Sequence, residues 1–229
     1  MPSDTTATPR HRGRGPKVFC LGFQKTGTTT LGIALEKLGY RVDGPFGFFY
    51  DDPEKLRADM HDIARRRLRR FDAVQDMPWP LMYRELDAWH PGSKFILTVR
   101  SPESWIKSIM YFGTFQHPIQ QVTYGTDYGT PVGNEEHYKA VYSAHNEEIL
   151  DYFKDRKSDL LVIDITKDFN WETLCGFLEC PIPDEPFPRA NTKESRTRLL
   201  ERARRRALRA YYRLGRRIVP RVRSLSRDP

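Results

Sequence analysis

A glycine- and threonine-rich turn between Gly22 and Thr30 is the first feature of this sequence that could do chemistry. The turn reads GFQKTGTTT, an apolar run (VFCL) leads into it, and a helical pattern follows it. A strand, a glycine-rich turn and a helix in this order direct backbone N–H groups and the positive end of the helix at an anion. The turn therefore predicts a site for a phosphate-like group.

The position of the lysine separates this turn from the commonest phosphate loop. A Walker A loop reads GxxxxGK[ST], with the lysine directly after the second glycine. Here Gly22 and Gly27 have the required spacing, but Thr28 follows Gly27 and the lysine lies inside the turn, at Lys25. We therefore expect a ligand other than a nucleoside triphosphate with magnesium. The simpler alternative is that the glycines only permit a tight turn.

Charged residues directly follow two other predicted strands. Asp76 comes after the strand 73–75, and Arg100 comes after the buried strand 94–99. An arginine in this place offers a forked donor to a phosphate, whereas a Walker B strand ends in an acid. Ser108, with Ser104, shares one face of the next predicted helix and could hold the same phosphate. The alternatives are a surface ion pair for Arg100 and a turn cap for Asp76.

The elements that must position these residues alternate along the chain. Strands are predicted at 18–22, 40–42, 73–75, 94–99 and 160–165, and helices at 29–38, 53–70, 80–89, 101–112, 135–153 and 171–178. This order predicts an α/β fold of three layers, α/β/α, with a central parallel sheet. Ligands of such sheets bind beyond the carboxyl ends of the strands. The segment 116–133 is predicted as a long loop.

The composition of the chain is that of a globular protein. The 229 residues suffice for one domain, predicted at 17–195, after a disordered tail at 1–16. No apolar stretch approaches the roughly 18 residues of a membrane span, and the N-terminus lacks the apolar core of a signal peptide. Cys20, Cys175 and Cys180 show no metal-binding spacing, and an odd, low cysteine count without a secretory signal predicts reduced thiols in the cytosol.

The C-terminal segment 196–229 holds 13 arginines and two acids, a net charge of +11 against +8 for the whole chain. Its apolar residues recur every three or four positions, which predicts an amphipathic basic helix at about 193–218. Either this helix docks with a solvated arginine face, or it contacts an anionic surface. Few aromatic residues interrupt the arginines, which disfavours nucleic acid.

Together these motifs resemble the P-loop-like sulfotransferases that use 3′-phosphoadenosine 5′-phosphosulfate. Their 5′-phosphosulfate loop has the form PKSGTTW, and their 3′-phosphate motif is an arginine and a serine spaced as Arg100 and Ser108 are. The segment from LLVIDI to NTKES resembles the late part of small bacterial-type members, and the likeness covers residues 17–195. Gln24 and Thr30 depart from the family pattern, where a proline and an aromatic residue are usual.

The resemblance implies a role for each matched residue. Lys25 would stabilise charge on the leaving phosphate, Arg100 and Ser108 would hold the 3′-phosphate, and the remaining nucleotide-binding residues would be Thr26, Gly27, Thr28, Thr29, Thr30, Asn191 and Lys193. The transfer would need no metal. Asp76 is our candidate for the base that activates a hydroxyl or amine acceptor, with the rivals His61, His117, His137 and Glu85.

The small-molecule acceptor itself is not specified by the sequence, although we expect Tyr124, Tyr128 and the loop 125–133 to help form its pocket. Two other functions stay open at this point. One is a P-loop kinase or NTPase with a degenerate loop, which would need magnesium. The other is a non-catalytic protein that binds through the basic C-terminal helix.

Overall fold

Five parallel strands, counted in the described residues, form a single sheet. The computed structural model describes residues 16–114, 116–164 and 169–190. The strands are β1 (Val18–Cys20), β2 (Val42–Asp43), β3 (Ala73–Val74), β4 (Lys94–Val99) and β5 (Leu160–Asp164). They lie in the order β2-β3-β1-β4-β5, and each neighbouring pair is parallel. The predicted α/β class with a parallel sheet is confirmed.

Helices connect these strands and follow the last of them. Those in the described residues are α1 (Thr28–Lys37), α2 (Pro53–Leu68), α3 (Tyr83–Trp89), α4 (Pro102–Ile109), α5 (Pro118–Tyr124), α6 (Glu135–Tyr152) and α7 (Trp171–Leu178). A proline begins α2, α4 and α5, where its missing N–H costs no helical bond. The residue before each proline, Asp52, Ser101 or His117, caps the helix through its side chain.

The helices cover both faces of the sheet. Successive strand residues point to opposite faces, so Phe19 of β1 packs with α2, α3 and α6, whereas Val18 and Cys20 pack with α1 and α7. In β4, Phe95 and Ile96 divide between the two faces in the same way. This gives the three layers that the sequence predicts and places Cys20 in the core.

A third apolar cluster lies beyond the carboxyl ends of the strands, and we call it the carboxyl-end cluster. It joins residues that follow β1 and β3 to α2, α4, α5 and α6, and its buried members are Phe23, Leu56, Met77, Trp105, Ile106, Ile109, Ile119, Tyr124, Tyr138 and Tyr142. The functional candidates lie beside this cluster, because Phe23 is two residues from Lys25 and Met77 follows Asp76.

Two parts of the sequence prediction need correction. The segment 116–133 is not a loop throughout, because it contains α5 and a 3₁₀ turn at Thr126–Tyr128. Burial of Ile119 and Tyr124 in the carboxyl-end cluster stabilises this short helix, which a sequence pattern of seven residues cannot reveal. The predicted helices 80–89 and 101–112 are each part 3₁₀, at Trp79–Met82 and Met110–Phe112.

The unit that carries the sheet ends at Pro188, and a second unit begins at Arg189. The predicted N-terminal tail (apart from residue 16), Asn191, Lys193 and the basic C-terminal helix lie outside the described residues. None of the helices in the described ranges combines the length and the apolar character that crossing a membrane requires.

Candidate active site

Three loops meet at the carboxyl end of the sheet, around β1. Since β1 lies between β3 and β4, the loop at 21–27 has Asp76 on one side and Arg100 on the other. After β1 the chain runs to β2, at one edge of the sheet. After β3 it crosses over β1 to reach β4, which lies on the other side of β1. Ligands of α/β sheets bind at switch points of this kind.

Gly22 is required because the loop approaches β4 closely. A β-carbon on Gly22 would lie 2.0 Å from Thr98 Oγ1 and 2.5 Å from the Thr98 carbonyl oxygen, far inside van der Waals contact. Gly27 precedes α1 with φ 94° and ψ 13°, a left-handed conformation that glycine adopts without strain. Backbone geometry therefore explains why both positions are glycine. Together the two glycines allow α1 to start close to the end of β1.

Thr26 closes the loop through its own polar groups. Its hydroxyl donates to the Phe23 carbonyl at 2.6 Å, and its amide donates to the same oxygen at 3.3 Å. Its Oγ1 also lies 2.6 Å from Thr98 Oγ1, and the side chain is fully buried. The structure thus shows that the amide and the hydroxyl of Thr26 both form hydrogen bonds within the loop and to β4.

Lys25 and Asp76, the two predicted catalytic residues, both have backbone conformations that L-amino acids rarely adopt. Their φ angles are 69° and 71°, and among the described non-glycine residues only Glu179 shares this feature. Strained residues of this kind cluster at functional sites, where the surrounding structure holds them. The sequence pattern carries no sign of this strain, since neither position is a glycine.

The Asp76 carboxylate accepts two hydrogen bonds, one of them from the first residue of α1. The Thr28 hydroxyl donates to Oδ2 at 3.2 Å, and the Met77 amide donates to Oδ1 at 2.8 Å. Burial raises the pKa of Asp76 above its ordinary value of 3.8, although these two bonds and the charge of Lys25 act in the opposite direction. Asp76 is therefore a carboxylate of increased basicity that lies within electrostatic range of Lys25.

Arg100 connects the end of β4 to the glycine-rich loop. Its Nη1 donates to the Lys25 carbonyl at 3.2 Å, and its Nη2 donates to Ser104 Oγ. The Tyr142 hydroxyl accepts the Arg100 amide at 3.1 Å and donates to the Arg100 carbonyl at 3.0 Å. No described carboxylate forms an ion pair with Arg100, and its buried Nε finds no hydrogen-bond partner among the described residues. The guanidinium thus donates two of its five N–H groups in these contacts.

The other predicted nucleotide-binding residues of the described chain lie near this centre. Thr29 is exposed at the start of α1, whereas Thr30 is buried on it. Ser108 lies one turn beyond Ser104 on α4 and is half-buried. The structure brings Ser104, and not Ser108, into contact with Arg100. The sequence made both serines candidates for phosphate binding because they lie four residues apart on one helix.

Gln24 anchors the loop to the carboxyl-end cluster through contacts that the sequence does not reveal. Its Nε2 donates to the Tyr124 hydroxyl at 3.0 Å, and Trp105 Nε1 donates to its carbonyl at 3.0 Å. Tyr124 is 2% exposed and stacks on Tyr138 at 3.7 Å between ring centroids. Tyr124 therefore lies in the core rather than in an open acceptor pocket, and Tyr128, which we also expected there, stacks on His137.

Each rival of Asp76 for the role of base has a polar contact of its own. His61 Nε2 lies 3.7 Å from Glu85 Oε1, so these two residues face each other. His117 Nδ1 accepts an amide N–H of α5 at 3.1 Å, and His137 Nε2 donates to the backbone carbonyl at the end of α5 at 2.6 Å. Within the described ranges, no group of three or more His, Cys, Asp or Glu could hold a metal ion.

Comparison with known proteins identifies relatives of this chain. The family model described as "Sulfotransferase domain" matches residues 17–196. Ava biosynthesis cluster protein M of Aspergillus versicolor is 26% identical over 228 residues, which cover 80% of this chain and 83% of that protein. A crystal structure of mouse sulfotransferase SULT7A1 complexed with PAP is 15% identical with a TM-score of 0.42, and the match covers 74% of this chain and 61% of the mouse chain. Because the family model matches most of its length, this chain belongs to the sulfotransferase family.

Proposed function

We propose that this protein transfers a sulfuryl group from 3′-phosphoadenosine 5′-phosphosulfate to a hydroxyl or amine of a small molecule. The observation that carries the proposal is the meeting of Lys25, Asp76 and Arg100 at the start of α1, joined by the Thr28–Asp76 and Arg100–Lys25 contacts. Two cations and a helix N-terminus suit an anionic donor, and a carboxylate of raised pKa suits proton removal.

The donor set of this site fits a nucleotide with two separate anionic groups. The glycine-rich loop and the first amides of α1 would hold the 5′ end, with Lys25 supplying the charge. The buried Nε of Arg100 has no hydrogen-bond partner within the described part of the chain, and a phosphate is the kind of acceptor that would satisfy it. Asn191 and Lys193 would complete the nucleotide site, as the family resemblance implies. Within α4, Ser104 joins Ser108 as a candidate for the 3′-phosphate.

Asp76 would accept the proton of the acceptor during the transfer. Sulfuryl transfer, like phosphoryl transfer, leaves the protein chiefly the tasks of alignment and charge stabilisation. Lys25 would stabilise the charge that develops on the leaving bisphosphate, while Asp76 makes the attacking oxygen or nitrogen more nucleophilic. The hydrogen bond from Thr28 links Asp76 to the start of α1, where the donor would bind.

Radiolabelled donor provides the direct test of this function. The protein is incubated with labelled 3′-phosphoadenosine 5′-phosphosulfate and a panel of alcohols, phenols, sugars and amines, and Lys25→Met is run in parallel. Label should appear on at least one acceptor with the wild type and not with the variant. Transfer by both proteins alike would contradict the site, and turnover only with ATP and magnesium would contradict the function.

We also propose the cytosol as the compartment, since Cys20, Cys175 and Cys180 all carry free thiols. The contact of the basic C-terminal helix with an anionic surface remains a prediction from the sequence alone.

A further inference from the structure

We propose that a group of arginines at the end of α2 binds an anionic phospholipid surface; this inference is independent of the proposed sulfuryl transfer. Residues 65–70, where α2 ends, have the sequence RRRLRR. Four of these arginines are exposed to solvent, and we call them the arginine patch: Arg65, Arg66, Arg69 and Arg70. Clusters of about four or more basic residues on a helix are typical of surfaces that bind anionic lipid headgroups.

The charge of the arginine patch is not neutralised within the described part of the chain. Two carboxylates close to the end of α2 have arginine partners outside the patch. Asp43 accepts Arg67 at 2.8 Å, and Asp72 accepts Arg41 at 2.8 and 2.9 Å. The ion pairs of the described residues include no member of the patch. Asp62 is an exposed acid one turn earlier on the same side of α2, so the patch keeps an excess of positive charge.

A lysine outside the patch already caps the end of α2. Cations are common at helix C-termini because they bind the free carbonyls and offset the helix dipole. Here Lys17 Nζ donates to the carbonyls of Leu68 and Phe71, at 2.8 and 2.7 Å. The side chains of the patch form no hydrogen bond among the described residues. Capping of the helix therefore does not account for the patch, and its guanidinium groups can bind a partner.

The position of the arginine patch in the fold suits a planar partner. α2 starts at the carboxyl-end cluster, to which Leu56 belongs, and ends beside Lys17, the residue before β1. Leu56, Met60, Ala64 and Leu68 are buried along α2, so this helix presents only one flank to solvent. A flank can lie on a membrane, whereas the major groove of DNA is wide enough for a helix but not for a helix packed on a sheet. Binding through the patch would leave the candidate active site, at the opposite end of the sheet, open to solution.

An aromatic ring beside the patch also favours a lipid partner. The Arg65 guanidinium lies 4.3 Å from the centroid of the Trp89 ring, and Trp89 is partly exposed at the end of α3. A tryptophan ring with a polar edge is favoured at the boundary between lipid headgroups and hydrocarbon, and a guanidinium forms strong hydrogen bonds to phosphate. Together the two side chains match a phospholipid headgroup layer better than a purely polar polyanion.

Vesicle co-sedimentation of the full chain tests this inference. The wild type, Arg66→Gln/Arg70→Gln and the control Arg57→Gln/Arg84→Gln are mixed with vesicles of phosphatidylcholine, with or without phosphatidylserine. Both double variants lose two exposed arginines, but Arg57 and Arg84 lie outside the patch. The patch variant should bind phosphatidylserine vesicles about 25-fold more weakly than the wild type, about fivefold for each charge lost. The control should stay within about twofold of the wild type, because more distant charges are screened.

Three outcomes would overturn the inference. Equal binding of the wild type and the patch variant would assign lipid binding to other basic segments of the chain. Equal losses in the two double variants would show a dependence on net charge alone. Tighter binding to duplex DNA than to phosphatidylserine vesicles, lost in the patch variant, would make nucleic acid the partner. A second patch variant, Arg65→Gln/Arg69→Gln, should reproduce the loss of vesicle binding with an unchanged melting temperature, and normal binding by this variant would contradict the patch.

Discussion

Replacement of Arg100 by lysine is the perturbation that the site geometry makes most informative. The guanidinium uses Nη1 for the Lys25 carbonyl and Nη2 for Ser104, while its Nε is buried and finds no partner among the described residues. Lysine keeps the positive charge but replaces the fork by a single ammonium. Arg100→Lys therefore tests the shape of the donor and not only its charge.

The expected loss follows from the bond that Nε would make to the 3′-phosphate. A hydrogen bond to a charged group contributes about 1.5–3 kcal/mol, which corresponds to a dissociation constant larger by roughly 10- to 150-fold. The lost contact of Arg100 with the Lys25 carbonyl would disturb the loop as well, but it would do so for any nucleotide. Only the ratio of the affinities for two nucleotides, one with and one without a 3′-phosphate, reports on the contact with that phosphate.

Calorimetry should therefore compare adenosine 3′,5′-bisphosphate with adenosine 5′-monophosphate. We expect the wild type to prefer the bisphosphate and Arg100→Lys to lose most of that preference. Arg57→Lys is the control, because Arg57 is an exposed arginine that pairs with Glu54 on α2. An unchanged ratio of the two affinities in Arg100→Lys would refute the assignment of Arg100 to the 3′-phosphate.

Three further predictions concern the residues around Arg100. Asp76→Asn should lower the transfer rate at least a hundredfold while it leaves bisphosphate affinity nearly unchanged, and the wild-type rate should rise with pH through the raised pKa of Asp76. The folded protein holds the proton of Asp76 more tightly than the unfolded chain does, so ionisation of Asp76 costs stability as pH rises. Asp76→Asn should therefore have a higher melting temperature than the wild type at neutral pH and the same melting temperature in acid. A lower melting temperature of Asp76→Asn at neutral pH would contradict this. Gly22→Ala should lower the unfolding free energy by about 1–3 kcal/mol, because the new β-carbon would clash with the Thr98 backbone. The control Gly176→Ala has open space around the new β-carbon and should raise the unfolding free energy by about 0.5–1 kcal/mol in the same denaturant titration. Equal effects of the two substitutions would refute the close approach of Gly22 to β4. Thr26→Val should lower the unfolding free energy by about 1–3 kcal/mol, because it removes two buried contacts of the hydroxyl. Unchanged stability would contradict a structural role of this hydroxyl.

The fold was predictable because its signals are local. The run KFILTV became β4 with the predicted bounds, and the prolines at the starts of α2 and α4 marked helices that the structure contains. The alternation of strands and helices then implied a parallel sheet with its loops at one end. The helix α5 escaped prediction because burial of Ile119 and Tyr124, and not its own periodicity, stabilises its seven residues.

The meeting of the candidate site residues was predictable only where chain order determines it. Lys25, Asp76 and Arg100 each follow a strand, and parallel strands bring such residues to one edge. The pairing of Gln24 with Tyr124 joins residues 100 positions apart, and no local pattern carries that information. The role of Thr26 also depends on tertiary structure, since its donors are used by the loop itself.

Binding of adenosine 3′,5′-bisphosphate in the presence of EDTA tests the central claim most directly. We predict saturable one-to-one binding by calorimetry without a divalent metal, at least tenfold weaker in Lys25→Met, because the proposed nucleotide site relies on the cations of Lys25 and Arg100. Binding that appears only for ATP with magnesium, or bisphosphate binding that is unaffected by Lys25→Met, would contradict it.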